Sequence, residues 1–263
     1  MSITRANKIA MILCIVAALL VSAHPTIAQA HADNEPHWSY SGADGPDHWG
    51  DLSPDFATCK TGQHQSPLNI VDAQPAELAP IHFDYQLSPL KILNNGHTIQ
   101  VQYAPGSSIS INGIALPLVQ FHFHHPSETE INGQKFDMEL HLVHIDAAAG
   151  RAAVVAILIK SGNPNPLIGQ VWNYIPAEVG KPAEHKKMVF NAADFLPGDQ
   201  NYYVFNGSLT TPPCSEGIKW YVLKTPIEAS PAQIARFARL YPDDARPVQP
   251  QNGRKIEESH FTK

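Results

Sequence analysis

The sequence predicts a single, mainly β (α+β) domain. From residue 81 to residue 119, short strand-like runs follow one another, separated by Asn-Gly turn signals at 95–96 and 112–113. Two further runs, at 120–125 and 139–144, place successive side chains on opposite faces of a strand. The 263-residue chain has no internal repeat or low-complexity linker, and 43% of its residues are hydrophobic, which is enough for one sizeable core.

The individual elements follow from these patterns. Strands are predicted in chain order at 81–85, 91–93, 98–103, 108–111, 114–118, 120–125, 139–144, 152–160 and 203–205. The run at 152–160 is continuously apolar and partly β-branched, which is typical of a buried strand. Helices are predicted at 166–175 and from 230 to about 241. The second helix opens with a capping box, in which Ser230 is the N-cap, Pro231 is N1 and Gln233 is N3.

The first thirty residues are predicted to be a signal peptide and not part of the fold. Two basic residues precede an apolar run at 9–21, and small residues at 28–30 form a cleavage site, with 22–23 as an earlier alternative. The apolar run is short for a membrane span. We therefore expect the mature chain, 31–263, to be secreted across the inner membrane, to be periplasmic and to have no membrane association after cleavage.

Charge excludes one class of partner. The formal net charge is −6 at pH 7, and removing the two basic residues of the signal peptide makes the mature chain more acidic still. Proteins that bind nucleic acid present basic surfaces to the phosphates, so nucleic acid is not expected as a partner.

Cysteine content fits export. Cleavage removes Cys14 and leaves Cys59 and Cys214. In an oxidising compartment, two cysteines predict one disulfide. Two free buried thiols, or a metal site that uses the pair, are the alternatives; neither cysteine belongs to a C-x-x-C pair.

The runs at 120–125 and 139–144 carry the chemistry. Their shared faces present Gln120, His122 and His124 in the first strand, and Glu139, His141 and Val143 in the second. The Asn132-Gly133 turn signal between the two strands allows them to pair as neighbours, which would bring three imidazoles together. Three imidazoles with an open fourth position are typical of a catalytic zinc site.

Histidines that bind zinc need an acceptor for the second ring nitrogen. Gln120 and Glu139 each lie two residues before a histidine on the same face, so they are predicted to be these acceptors. The alternative is a His-rich strand whose histidines are satisfied by ordinary hydrogen bonds.

The same runs, Q-F-H-F-H and E-L-H-L-V-H, resemble the α-class carbonic anhydrases. Further matches are H-W-x-Y at 37–40, L-N-N-G-H at 93–97, G-S-L-T-T-P-P at 207–213 and R-P-V-Q-P at 246–250. The resemblance covers nearly the whole mature chain. It implies one catalytic domain over 31–263, built around a large twisted, mostly antiparallel central sheet with a few short peripheral helices.

The resemblance also implies an activity. It is the reversible hydration of CO2 to bicarbonate and a proton, by attack of zinc-bound hydroxide on CO2, with zinc as the cofactor. His97 would be the proton shuttle. Thr210 would orient the nucleophile through a hydrogen bond to Glu128; members of the family often carry His at the next position, which is Thr129 here.

The remaining site residues also come from the resemblance. The apolar wall for CO2 would comprise Val143, Val154, Leu209 and Trp220, with Thr211 contacting bicarbonate and Tyr40 lining the water network. A Cys59–Cys214 bridge would brace the Thr210 loop. Bacterial members resemble dimers, so a homodimer stays open, although the sequence has no interface signature.

Two other classes remain as alternatives. The spacing His122-x-His124-x-x-x-Glu128 fits the first cupin motif, in which Glu128 would be a ligand of iron or manganese. No second cupin motif surrounds His141, and that class gives the T-T-P-P loop no role. A non-catalytic, carbonic-anhydrase-like binding module would have lost a ligand histidine, whereas all three are present here.

Overall fold

A computed structural model describes residues 36–262, which fold around one large, twisted, mixed β-sheet. The predicted signal peptide at 1–30 lies outside the described residues. The strands are β1 (Asn69–Ile70), β2 (Gln74–Pro75), β3 (His82–Asp84), β4 (Ser88–Asn94), β5 (Ile99–Gln102), β6 (Ser108–Ile111), β7 (Ile114–His124), β8 (Glu130–Ile131), β9 (Met138–Asp146), β10 (Arg151–Ser161), β11 (Ala183–Phe190), β12 (Tyr202–Ser208), β13 (Glu216–Ala229) and β14 (Glu257–Glu258).

Helices are short and lie outside the sheet. The α-helices are α1 (Trp49–Leu52), α2 (Thr58–Thr61), α3 (Pro166–Trp172) and α4 (Pro231–Ala238), and 3-10 turns occur at Gly42–Asp44, Pro54–Phe56 and Ala192–Phe195. The capping box of α4 forms as the sequence predicts, with Ser230 accepting from the Gln233 N–H and the Gln233 side chain accepting from the Ser230 N–H. Within this described part, no helix has the length and apolarity that crossing a membrane requires.

The sheet runs in the order β11-β4-β5-β7-β9-β10-β13-β12-β14-β2, and β6 pairs with both β3 and β7. Most neighbours are antiparallel, as expected, but β10 pairs with β13 and β14 with β2 in parallel. A separate parallel pair joins β1 to β8. The predicted mostly antiparallel central sheet with peripheral short helices is therefore confirmed, with two parallel pairs within it.

Several strand predictions were incomplete. The runs predicted separately at 114–118 and 120–125 form one strand, β7, because the register shift between Leu118 and Gln120 interrupts the pairing with β9 but not the strand. Strands β11 and β13 were not predicted. β11 is an edge strand that pairs with β4 alone, and its four polar residues are consecutive, at 184–187, so its sequence does not alternate between apolar and polar residues.

Both faces of the sheet are buried. One face carries the larger cluster, in which Phe121, Phe123, Leu140 and Leu142 pack with Trp172 and Phe237 from the two longer helices. The other face carries a smaller cluster of residues from β9, β10, β12 and β13, namely Val143, Val154, Ala156, Phe205 and Trp220, with Leu68 and Ile70. Burying one Phe side chain stabilises the folded state by about 1.5–3 kcal/mol. The aromatic layer therefore stabilises the positions of β7 and β9.

The disulfide joins the Thr210 loop to the N-terminal part of the described chain. Cys59 in α2 is bonded to Cys214, with their Cα atoms 4.9 Å apart and a sequence separation of 155 residues. In the chain-entropy model, closing a loop of that length stabilises the folded state by about 5 kcal/mol. The structure thus contains the disulfide that the two cysteines predicted.

Candidate metal centre

The register of β7 and β9 brings the three histidines together. His122 lies directly opposite His141, and His124 lies opposite Glu139. The turn that the sequence predicted at Asn132-Gly133 is present, and both of its residues have positive φ. The ring centroids of His122, His124 and His141 are 5.0 Å, 5.1 Å and 4.6 Å apart, taken pairwise. One nitrogen of each ring lies within 4.8 Å of the others.

Each ring has an oxygen close to its other nitrogen, in a hydrogen bond for His122 and His124 and in a close ionic contact for His141. The contacts are His122 Nδ1 to Gln120 Oε1 at 2.9 Å, His124 Nδ1 to the Asp244 carbonyl oxygen at 2.7 Å, and His141 Nε2 to Glu139 Oε1 at 3.1 Å. Gln120 and Glu139 therefore lie where the sequence placed them. Asp244 was not predicted, because a backbone carbonyl 120 residues away in the chain leaves no local sequence signal.

These contacts leave one nitrogen of each histidine directed toward a common point. The buried Nε2 of His124 has no hydrogen-bond partner among residues 36–262. Burial lowers the pKa of all three imidazoles, and repulsion from His124 lowers the pKa of His122 and His141 further. Neutral imidazoles with an oriented tautomer are what zinc requires, so the donor set fits this metal.

Glu139 is fixed by the residue after Glu128. The Thr129 N–H donates to Oε2 of Glu139 at 2.7 Å, and the Thr129 hydroxyl donates to Oε1 at 2.8 Å. Burial raises the pKa of Glu139, and the two Thr129 hydrogen bonds oppose that rise. No sequence pattern indicated this role, because Thr129 differs from the common family residue and belongs to no motif.

Glu128 is fully buried and faces the same centre. The Arg246 N–H donates to its Oε1 at 2.9 Å, and the Thr210 hydroxyl donates to its carboxylate. Its Oε2 lies 3.6 Å from Nε2 of His124. Burial raises the pKa of Glu128 to about 8, against the opposing effect of the Arg246 hydrogen bond. The structure therefore brings Glu128 and Thr210 together, as the resemblance implied.

Arg246 contacts both Glu128 and the segment that contains Cys59. Its guanidinium donates to Gln65 Oε1 at 2.9 Å, to the Ser66 carbonyl at 2.8 Å and to the Cys59 carbonyl at 3.1 Å. Burial lowers the pKa of Arg246 to about 10, which leaves it charged at neutral pH. Arg246 thus holds the loop around Glu128 through its backbone N–H and the segment around Cys59 through its guanidinium.

An apolar wall stands beside the imidazoles. Val143, Val154 and Trp220 are buried in the smaller core cluster, and Leu209 packs against it. The ring of Trp220 lies 4.9 Å from the ring of His141, edge to face. The Trp220 indole N–H donates to the Ser208 carbonyl at 3.0 Å, which fixes the ring just before Leu209. All four residues expected for the CO2 wall therefore belong to one apolar cluster, which contacts the centre through Trp220.

A cleft of about 130 Å³ leads to the histidines. Its lining includes Tyr40, His97, Gln100, Gln120, His122 and Thr211. Burial and the charge of Glu128 raise the pKa of Tyr40 well above its ordinary value, so its hydroxyl stays protonated. The cleft is thus lined by the residues for which the resemblance implied roles in the water network, in bicarbonate contact and in proton transfer.

His97 lies at this cleft and is half-buried. Its ring stacks on Trp38, with 3.7 Å between ring centroids and 7° between ring planes. Burial lowers the pKa of His97, and nearby His37 lowers it further. The resemblance implied that His97 is the proton shuttle, but it did not connect this residue with Trp38, against which the structure packs one face of the ring.

Comparison with known proteins gives a consistent result. The sequence profile of the eukaryotic-type carbonic anhydrase family matches residues 44–260. The carbonic anhydrase of Pectobacterium carotovorum is 45% identical over 228 residues, 86% of this chain and 93% of the relative. That of Nostoc sp. is 44% identical over 231 residues, 85% of this chain and 86% of the relative.

Among solved structures, the α-carbonic anhydrase of Thermovibrio ammonificans in complex with the inhibitor sulfanilamide superimposes with a TM-score of 0.81. It is 42% identical, and the match covers 85% of this chain and 100% of the other.

Proposed function

The chain belongs to the eukaryotic-type, or α-class, carbonic anhydrase family of enzymes, and we propose that it hydrates CO2 reversibly with zinc held by His122, His124 and His141. The observation that carries this proposal is the convergence of three ring nitrogens, each on an imidazole whose other nitrogen already lies within 3.1 Å of an oxygen. CO2 and bicarbonate are the substrates of the family.

Zinc bound at this centre would act as a Lewis acid that lowers the pKa of a coordinated water, an effect for which carbonic anhydrases are the reference case. The chain supplies the conditions for it. The imidazoles are neutral because burial lowers their pKa values. Gln120, Glu139 and the Asp244 carbonyl hold their tautomers, so no ring has to reorient when the ion binds.

Thr210 and Glu128 orient the nucleophile. The positive charge of a bound zinc would favour the ionised form of Glu128. The Thr210 hydroxyl would then donate a hydrogen bond to that carboxylate, which leaves its oxygen as an acceptor toward the centre. A nucleophile that carries a proton can donate to that oxygen, and its lone pair is then directed away from Thr210. A ligand without a proton would meet an unpaired buried acceptor, which is unfavourable.

The apolar wall binds the other reactant. CO2 has no hydrogen to donate and no net charge, so contact with Val143, Val154, Leu209 and Trp220 suits it better than a polar pocket would. Thr211 lies in the cleft beside the histidines, where bicarbonate would leave.

His97 would carry the proton out. Its lowered pKa keeps the imidazole neutral at pH 7, ready to accept a proton, and its partial exposure lets it release that proton to buffer. Tyr40 stays protonated and would line the water path between the centre and His97.

Export to the periplasm completes the proposal. It is supported by the signal-peptide pattern at 1–30 and by the Cys59–Cys214 disulfide, which persists in an oxidising compartment.

The direct test is stopped-flow CO2 hydration, followed with a pH indicator, on the purified, oxidised mature chain. We expect fast hydration that disappears when zinc is stripped and returns when zinc is restored. A folded, zinc-loaded sample without hydration would favour a binding module. Failure to bind zinc, with binding of iron or manganese instead, would favour the cupin-type alternative.

A further inference from the structure

The group beside the second ring nitrogen of His141 differs in charge from the groups beside His122 and His124. His122 is held by a neutral amide and His124 by a neutral backbone carbonyl, whereas His141 faces a carboxylate, Glu139. A carboxylate 3.1 Å from an imidazole nitrogen interacts with it more strongly than a neutral oxygen does, so the orientation of this carboxylate affects the centre more than that of either other oxygen. The terminal torsion of a Glu side chain is broad and has no sharp rotamer of its own. Its orientation must therefore come from its neighbours.

Thr129 provides that orientation. Its N–H binds Oε2 of Glu139 at 2.7 Å and its hydroxyl binds Oε1 at 2.8 Å, so one residue contacts both oxygens. Oε1 is the oxygen that lies 3.1 Å from Nε2 of His141. Thr129 and Glu139 have no exposed surface.

The loop that carries Thr129 is itself braced. The Ser127 hydroxyl donates to the Thr129 carbonyl at 2.8 Å and accepts from the Phe136 N–H at 2.8 Å. The intervening residue, Glu128, is held by the Arg246 N–H. Thr129 is thus presented to Glu139 by a loop that has hydrogen bonds on both sides.

We propose that Thr129 is a positioning residue for the metal centre, which fixes the Glu139 carboxylate against His141 and thereby sets the affinity of the site for zinc. The inference rests on the proposed zinc site. It gives a specific role to the residue at which this chain departs from the common family sequence.

The main variant is Thr129→Val, which keeps the shape and the backbone N–H but removes the hydroxyl donor. Its affinity for zinc, measured by competition with a chromophoric chelator on the folded mature chain, should fall roughly tenfold, because loss of a partner outside the ligand shell typically costs 10–100-fold. Thr129→Ser retains the hydroxyl and should stay within about twofold of wild type. Thr129→Ala serves as the second variant if the valine protein does not fold, with the same expected loss.

Thr98→Val is the matched control. Its buried hydroxyl donates to the Phe123 carbonyl, between the two histidines of β7, but does not contact an acceptor of any ligand. It should lose stability to a similar extent, by loss of one buried hydrogen bond, and keep its zinc affinity. A zinc loss in Thr98→Val equal to that in Thr129→Val would mean a general structural effect and would overturn the proposal.

A double-mutant cycle tests whether Thr129 acts through Glu139. In a Glu139→Gln background, adding Thr129→Val should change zinc affinity by much less than tenfold, since the carboxylate that Thr129 holds is gone. Equal effects in both backgrounds, or a single Thr129→Val variant within twofold of wild type, would contradict the proposal. If the wild-type chain itself binds no zinc, it is the proposed function that fails.

Discussion

Strand β9 carries two buried histidines, His141 and His144, three residues apart and with different neighbours. His141 points to the face with His122 and His124 and has a carboxylate, Glu139, at one nitrogen. His144 points to the opposite, aromatic face, where its Nε2 is hydrogen-bonded to the Tyr85 hydroxyl at 2.9 Å. Burial lowers the pKa of both.

The comparison shows that neither burial nor a shifted pKa identifies a functional histidine. His141 is distinguished by its neighbours, because two other imidazoles each have a ring nitrogen close to one of its own. What distinguishes His144 is an ordinary neutral partner within the larger core. We therefore expect substitutions of His141 to alter metal binding and substitutions of His144 to alter folding.

The largest effect is expected from His141→Ala. Removing a ligand should reduce zinc affinity by more than the roughly 100-fold that loss of an outer hydrogen-bond partner can cause. Hydration of CO2 should be lost with the metal. Zinc content by metal analysis and stopped-flow hydration measure the two effects. Retention of stoichiometric zinc in a folded His141→Ala protein would remove this residue from the ligand set.

His144→Ala should have the converse effect. The cavity left in the core and the unpaired Tyr85 hydroxyl together should lower the free energy of unfolding by about 2–5 kcal/mol. Zinc should still bind in a one-to-one ratio to the folded protein. Denaturant unfolding of the metal-free chain and a zinc titration give the two quantities. Loss of zinc without loss of stability would contradict the contrast between the two faces.

A pH dependence sharpens the same contrast. The folded-state pKa of His144 is lowered by burial to about 3, so the unfolded chain takes up this proton first as the pH falls below 6.5. Stability from His144 is therefore fully present above pH 6.5 and falls by at most about 1.4 kcal/mol per pH unit toward pH 3. In His144→Gln this contribution is absent, so the difference in unfolding free energy from wild type should shrink between pH 6 and pH 4. Parallel curves would show that His144 does not titrate on unfolding.

The smallest effect is expected at a third histidine, His97, which is half-buried in the cleft. His97→Ala should keep zinc, and its CO2 hydration rate in weak buffer should fall roughly 10-fold. This loss is smaller than the loss that removal of a positioned acid–base group usually causes, because buffer and water substitute for His97. Concentrated buffer should restore the rate. Unchanged turnover in weak buffer would remove the shuttle assignment.

The sequence predicted the local part of this arrangement well. Alternation within 120–125 and 139–144 assigned the faces of β7 and β9, and the Asn132-Gly133 turn indicated that they pair; the structure has His122 opposite His141. Two-residue periodicity and turn chemistry are local properties, so they can be read from short segments.

The long-range part could not be predicted in this way. The Asp244 carbonyl, the Arg246 N–H and the Trp38 ring reach the centre from distant segments, and two of them are backbone groups without a residue preference. Strand β13 was missed for a related reason. Its central part, Trp220 to Leu223, is buried on both faces, while Lys224 to Glu228 carries charges and Pro226, so the strand shows no single period.

The most direct test of the central claim is a crystal structure of the zinc-loaded mature chain, with anomalous scattering measured on both sides of the zinc absorption edge. We predict a single zinc peak among residues 36–262, bound by Nε2 of His122, Nε2 of His124 and Nδ1 of His141, at about 2.0–2.1 Å. Glu128 should remain on Thr210 and Arg246, outside the ligand set. A peak coordinated by Glu128, or no zinc among the three imidazoles, would contradict the account.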